Sequence, residues 1–100
     1  PVQAIQKQLD QLSWKASDVD LFEINEAFAV VPMAVIKDLD LPREKVNIHG
    51  GAIALGHPLG CTGAKLTATC LANLKEVNGR YGIVSMCIGG GMGIAMCVER

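Results

Sequence analysis

The chain has 100 residues, a formal net charge of −1 and a composition in which half of the residues are hydrophobic. Because no block of basic residues is present, we expect neither nucleic acid nor a membrane surface as a partner. No apolar run is long enough to cross a bilayer, and no signal peptide is recognisable. A chain this short buries only a modest fraction of its surface alone, so its high apolar content predicts that a partner surface covers part of it.

Four cysteines lie at positions 61, 70, 87 and 97. Their spacing contains no Cys-x-x-Cys pair, which argues against a zinc site or a redox pair, and we predict no metal. Reduced thiols are the default in a cytosol-like compartment, so we expect a cytoplasmic protein, with a mitochondrial or peroxisomal location left open. The chain begins at Pro1 without an initiator methionine, as a processed chain or a fragment would.

Hydrophobic spacing predicts three elements in the first half of the chain. Residues 2–12 form an amphipathic helix, and residues 20–25 form a short strand in which apolar residues alternate with acids. Residues 26–39 are predicted to be helical. Pro32 lies within this helix and would remove a backbone hydrogen bond there, so we expect a kink or a late helix start.

In the second half, residues 45–50 are predicted to be a strand and residues 59–78 a long helix that stops at Asn78 and Gly79. One stripe of this helix is expected to face the core, and a second line of small residues predicts close contact on another side. The core stripe comprises Leu66, Cys70, Leu74 and Val77, and the small line comprises Ala64, Ala68 and Ala72.

Two further strands, at residues 81–87 and 93–99, flank a glycine-rich turn at residues 88–92 and are predicted to form an antiparallel hairpin. The order of elements is therefore helix, strand, helix, strand, helix, strand, strand. Alternation of this kind predicts an α/β fold with a mixed, mostly parallel sheet and an antiparallel end strand.

Three polar or reactive groups follow three of the predicted strands. Asn25 follows the first, His57 lies in the glycine-rich loop after the second, and Cys87 ends the third. Since ligands bind at the carboxyl ends of strands in parallel α/β sheets, we expect an amide, an imidazole and a thiol to meet in one site.

Each of these groups has a possible chemical role. An imidazole can take a proton from a thiol, and the glycine amides after Cys87 can point at a developing oxyanion. Simpler interpretations exist for each residue taken alone. A single cysteine at a strand end is usually part of the core, an asparagine before a helix is usually an N-cap, and a glycine run is usually only a turn. Only their combination favours a catalytic site.

Three segments carry a family resemblance that extends over nearly the whole chain. NEAF at 25–28, GGAIALGHPLGCTGA at 50–64 and CIGGGMG at 87–93 resemble, in order and spacing, the C-terminal signatures of thiolases. The resemblance implies a thiolase-like layered αβαβα fold, of which this chain is the mixed-sheet C-terminal half-domain portion. Residues 1–100 then form the C-terminal portion of the thiolase C-terminal domain, without the N-terminal domain and the CoA-binding loop region.

The resemblance also implies roles for individual residues. His57 would activate the nucleophilic cysteine and help form one oxyanion hole, and Asn25 would hold the water that completes this hole. Cys87 would be the second catalytic cysteine, which moves a proton to or from the α-carbon of acetyl-CoA.

The backbone N–H of Gly89 would contribute to a second oxyanion hole, and Ala27 and Phe28 would line the acyl and pantetheine pocket. Coenzyme A and acetyl-CoA are expected as substrates, with no bound cofactor.

The function implied is CoA-dependent acyl transfer with Claisen condensation or thiolytic cleavage, in the acetoacetyl-CoA branch of the family. The family's acyl-accepting cysteine belongs to the N-terminal half, and neither Cys61 nor Cys70 lies in its motif. We therefore expect this chain alone to be inactive and the intact protein to be a homo-oligomer, a dimer or a tetramer. A longer-chain 3-ketoacyl-CoA thiolase of fatty-acid β-oxidation, a non-catalytic acyl- or lipid-binding relative and a purely structural domain remain alternatives.

Overall fold

Three strands form one mixed sheet in the computed structural model, which describes all 100 residues. The strands are β1 (Leu21–Ile24), β2 (Tyr81–Gly89) and β3 (Met92–Glu99), in the spatial order β1-β2-β3. β1 runs parallel to β2, and β2 pairs with β3 in the antiparallel direction. The predicted α/β class, with a mixed sheet and an antiparallel end strand, is confirmed.

Four α-helices accompany the sheet: α1 (Val2–Leu12), α2 (Val30–Asp38), α3 (Ala52–Leu55) and α4 (Thr62–Glu76). Residues 16–18 and 43–45 form single 3₁₀ turns. None of the helices combines the length and the apolar character that crossing a membrane requires.

The late start expected for α2 is confirmed. The helix begins at Val30, four residues after the start of the predicted helical segment, so that Pro32 lies in its first turn. An N–H at that position has no partner within the helix, and a proline there removes no hydrogen bond.

The predicted strand at residues 45–50 is wrong. Only one bridge forms there, between Val46 and Phe22, and the backbone of Asn47 then turns into the left-handed region at φ 48°. The Asn47 side chain makes the hydrogen bonds to β1 that the backbone of a further strand would make. Its amide donates to the Ile24 carbonyl and accepts from the Ile24 N–H, both at 2.8 Å. A side chain therefore completes the free edge of β1 where a further strand was expected.

The predicted helix at 59–78 is shorter in the structure, and its two stripes differ in burial. Leu66, Cys70 and Leu74 of α4 are buried, whereas Val77 is exposed because the helix ends before it. The alanines of the second line at positions 64, 68 and 72 are exposed, so the expected contact on another side is not made within this chain.

Buried apolar side chains form two separate clusters, one on each face of the sheet. On one face, α1 and α2 cover an apolar core that includes Ile5, Phe22, Ile24, Val35 and Ile83. On the other face, α4 covers a smaller cluster of Leu21, Cys70 and Leu74. The chain therefore forms three layers, helix on sheet on helix.

The predicted hairpin forms, but β2 extends two residues further than expected. Gly90 and Gly91 make the turn, both with positive φ, as two-residue hairpins require. Cys87 was expected to end its strand and instead lies inside β2, paired with Gly93, where a β-bulge follows it. Bulges of this kind typically increase the local twist of a strand pair.

Candidate active site

Asn25 is the first residue after β1 and is fully buried. Its backbone N–H donates to the Ser85 carbonyl at 2.9 Å, which extends the parallel ladder between β1 and β2. Since side chains alternate along a strand, Asn25 lies on the same face as Leu21 and Glu23, towards α4. The sheet and the helix together fix the position of its amide.

His57 lies in the loop between α3 and α4 and reaches the Asn25 amide. Its Nε2 is 3.2 Å from Asn25 Nδ2, and its Nδ1 is 2.7 Å from the Thr62 hydroxyl oxygen. The same hydroxyl donates to the Pro58 carbonyl at 2.9 Å. Gly56, at φ 87°, directs the chain into this turn, and its carbonyl accepts a hydrogen bond from the Lys65 ammonium group. Both ring nitrogens of His57 are thus engaged.

Glu26 ties the start of α3, the helix before the His57 loop, to the end of β1. One of its carboxylate oxygens accepts from the Asn47 side chain at 3.3 Å, and the other accepts from the Ile53 N–H at 3.0 Å. The carboxyl group lies so close to Gly51 that a Cβ there would be 2.5 Å from its carbon. A side chain at Gly51 would displace this carboxyl group, so glycine there permits the contact that anchors the start of α3.

Cys87 and Gly89 lie on β2, the neighbour of β1. The Cys87 thiol is partly buried and makes no hydrogen bond, and Gly89 has a left-handed backbone at φ 94°. Beyond the end of β1, Ala27 is partly buried and Phe28 is 74% exposed. The structure thus joins Asn25 and His57 by a hydrogen bond, whereas the thiol and the remaining predicted residues make no polar contact with that pair.

An ionisable carboxyl group, that of Glu23, lies on the same face of the sheet as Asn25. Glu23, on β1, is 2% exposed, and burial raises its pKa to about 7. A hydrogen bond of 3.0 Å from Asn73 on α4 acts in the opposite direction. Burial also raises the pKa of the Cys70 thiol to about 12, so Cys70 is an inert core thiol. No group of three or more His, Cys, Asp or Glu side chains is placed to hold a metal ion.

Sequence reasoning did not identify Thr62, Glu26 or Asn47 as site residues. Thr62 carries a local signal, because a hydroxyl at the start of a helix, five residues after a histidine in a glycine-proline loop, is within reach of the ring. The contacts of Asn47 with β1 join residues 23 positions apart and leave no such local signal.

Comparison with known proteins places the chain in a family. The model of the thiolase C-terminal domain matches residues 1–100. The chain is 56% identical over 100 residues to the cytosolic acetyl-CoA acetyltransferase of Mus musculus, covering all of this chain and 25% of that protein. It is 54% identical over 99 residues to the 3-ketoacyl-CoA thiolase of Bacillus subtilis (strain 168), covering 99% of this chain and 25% of that protein.

A solved structure agrees with these matches. The crystal structure of the Bacillus anthracis acetyl-CoA acetyltransferase superposes with a TM-score of 0.95 at 50% identity, over 99% of this chain and 25% of that one. This chain spans about a quarter of the length of the curated relatives it matches. The match of both sequence and fold over the whole chain shows that it belongs to the thiolase family, as a thiolase C-terminal domain.

Proposed function

We propose that this chain supplies the acid–base part of a thiolase active site, within a protein that makes or cleaves acetoacetyl-CoA. The reaction joins two acetyl-CoA molecules into acetoacetyl-CoA and free CoA, and it is reversible. The observation that carries the proposal is the hydrogen bond between His57 and the buried Asn25, since it fixes an imidazole beside an amide at the carboxyl end of β1. The name of the mouse relative supports the same activity.

His57 acts first in the proposed reaction. It takes the proton from a nucleophilic cysteine, which the rest of the polypeptide supplies, and the thiolate attacks the thioester carbonyl of an acyl-CoA. CoA leaves with a proton, and the acyl group stays on the cysteine. Asn25 holds the water that completes an oxyanion hole with His57, and its Oδ1, which is buried without a partner, supports this role because it needs a donor.

Cys87 acts in the second half of the reaction. As a thiolate it removes a proton from the α-carbon of acetyl-CoA, whose carbanion then attacks the acyl-enzyme. In the cleavage direction it returns that proton. The N–H of Gly89 stabilises the tetrahedral state, and Ala27 and Phe28 line the acyl and pantetheine pocket. Support comes from the position of Cys87 and Gly89 on the strand next to β1 and from the exposed Phe28 ring.

The proposal requires the part of a thiolase that this chain does not contain, so residues 1–100 alone are expected to be inactive. Exposed apolar side chains support the proposal that another part of the polypeptide covers this chain. They include Phe28, Met33, Leu59, Met92 and Met96, and a groove of about 250 Å³ between α4 and the hairpin is lined mostly by apolar residues. Contiguous exposed apolar surface, such as the lining of this groove, is typical of interfaces. We propose that the intact protein is a homo-oligomer and, from the mouse relative's name, cytosolic.

A hybrid polypeptide tests the proposal. In it, this chain replaces the C-terminal quarter of the mouse cytosolic relative, the part that it matches. Thiolytic cleavage of acetoacetyl-CoA is measured for the hybrid and for the 100-residue chain alone. We expect activity from the hybrid and none from the chain alone. His57→Ala and Cys87→Ala should each lower the rate of the hybrid by about 10²–10⁴-fold.

The chain offers a matched control for each substitution. His49, the other histidine, is exposed and pairs with Glu76, and Cys61 is an exposed free cysteine. His49→Ala and Cys61→Ala should leave the rate within a factor of a few. A folded hybrid in which His57→Ala keeps the parent rate, or activity of the isolated chain, would contradict the proposal.

The similarity to the Bacillus subtilis 3-ketoacyl-CoA thiolase favours a second candidate, a preference for longer 3-ketoacyl-CoA substrates. Rates on acetoacetyl-CoA and on longer 3-ketoacyl-CoA substrates, compared between the hybrid and the unaltered mouse protein, isolate the contribution of this chain. A ratio shifted towards longer substrates in the hybrid would support the second candidate.

A further inference from the structure

A chain of hydrogen bonds with a fixed direction passes through His57. It joins the Pro58 carbonyl, the Thr62 hydroxyl, His57 Nδ1, His57 Nε2 and the Asn25 amide, with distances of 2.9, 2.7 and 3.2 Å between successive groups. The chain ends at Pro58 O, a carbonyl that can only accept. A threonine hydroxyl has one hydrogen to donate and two lone pairs to accept with.

The carbonyl therefore sets the direction of every bond in the chain. If Thr62 donates to Pro58 O, its oxygen must accept from His57, so Nδ1 carries the proton. Nε2 then holds a lone pair, which accepts from the Asn25 Nδ2 group. The opposite direction would leave the Thr62 and Pro58 oxygens 2.9 Å apart with no hydrogen between them.

From this geometry we infer that Thr62 is a positioning residue that holds neutral His57 in the Nδ1–H tautomer, with the lone pair of Nε2 facing Asn25. The inference deepens the proposed function, on which its catalytic consequence rests. A base takes a proton at the nitrogen that holds a lone pair, and Nε2 is the ring nitrogen beside Asn25, the other group of the proposed site, so a proton taken there replaces the hydrogen bond from Asn25. Thr62 is fully buried, so water does not replace its hydroxyl readily.

Two substitutions separate this role from a merely structural one. Thr62→Val keeps the shape of the side chain but removes the hydroxyl, and Thr62→Ser keeps the hydroxyl. In the hybrid, Thr62→Val should slow acyl transfer to the enzyme about 10- to 100-fold, the effect of losing one hydrogen bond to a group that becomes charged. Thr62→Ser should restore the rate to within a factor of a few.

Thr67 provides a matched control on the same helix. Its hydroxyl donates to the Gly63 carbonyl four residues earlier at 2.8 Å, as Thr62 does to Pro58, but it touches no imidazole. Thr67→Val should leave acyl transfer unchanged. If Thr62→Val keeps the parent rate, or if Thr62→Ser is as slow as Thr62→Val, the positioning role is refuted.

Neutron diffraction from crystals of the unsubstituted hybrid at mildly alkaline pD tests the tautomer directly, even if a variant fails to fold. A deuterium atom on Nδ1 and none on Nε2 is the expected result, and a deuterium atom on Nε2 alone would overturn the inference. This readout is independent of turnover. An inactive hybrid with deuterium on Nδ1 would refute the proposed function while leaving the tautomer assignment intact.

Discussion

The two faces of the sheet differ in the polarity of the side chains buried on them. The face towards α1 and α2 is closed by an apolar core of nine buried side chains. The face towards α4 has an apolar cluster of only three, and beside it lie the buried polar side chains of Glu23, Asn25, Thr62 and Asn73. Hydrogen bonds hold these polar side chains in defined orientations, whereas burial of apolar surface provides most of the stability on the other face.

Alternate residues of β1 and the residue after it contribute to the two different faces. Phe22 and Ile24 point into the apolar core, while the alternate residues Glu23 and Asn25 point towards α4 and the His57 loop. β1 and the residue that follows it thus link the stabilising core directly to the proposed catalytic groups.

The largest effect is expected on the apolar face. Phe22→Ala removes a fully buried ring and should lower the free energy of unfolding by about 3–5 kcal/mol. Leu71→Ala, at an exposed position on α4, should cost less than about 1 kcal/mol. Urea unfolding of the hybrid and its two variants measures both changes. Equal losses for the two substitutions would show that the apolar face does not dominate stability.

On the polar face, Glu23 should make stability depend on pH. Its pKa is raised from 4.5 to about 7 in the folded chain, so between these values the unfolded carboxyl loses its proton while the folded one keeps it. The free energy of unfolding therefore falls as pH rises through this window, by up to about 3 kcal/mol.

Glu23→Gln should abolish that fall, because glutamine keeps the oxygen that accepts from Asn73 and cannot ionise. Thermal unfolding across the range from pH 4.5 to pH 7 compares the variant with its parent. Glu44→Gln, at an exposed carboxyl, is the control and should follow the parent curve. A Glu23→Gln curve that falls as steeply as that of the parent would refute the assignment.

A smaller effect is expected where the side chain of Asn47 replaces a strand. Asn47→Gly tolerates the left-handed backbone but leaves the N–H and carbonyl of Ile24 without their partner, at a cost of about 1–3 kcal/mol. Asn78→Gly, at an exposed asparagine with a similar φ of 54°, should lower the free energy of unfolding by only a few tenths of that amount. Unfolding midpoints that shift equally for the two variants would contradict the role given to the Asn47 amide.

Two residues of the candidate site could be brought together from the sequence because they lie in short contiguous motifs. The NEAF and GHP segments led to Asn25 and His57, and the structure joins these two side chains. The helix and hairpin patterns were equally local, and both elements form. Patterns read over a few residues were sufficient for these features.

The failures have a common physical origin in tertiary contacts. Residues 45–50 have the alternation of a strand, yet the left-handed backbone of Asn47 allows its side chain to bond β1 instead. Glu23 has the alternation of an exposed acid, and its burial depends on α4, with Asn73 lying 50 residues further along the chain. Thr62 is the exception, since its contacts with His57 and Pro58 are local in the chain.

A double-mutant cycle in the hybrid examines whether the polar face works as a unit. Asn25→Ala, His57→Ala and the combined variant are compared for the rate of acyl transfer from acetyl-CoA to the enzyme. If the hydrogen bond between the two side chains matters for that step, the double variant should be about as slow as the slower single variant, with a coupling energy of about 0.5–3 kcal/mol. Strictly additive losses would show that Asn25 and His57 act independently and would contradict the site described above.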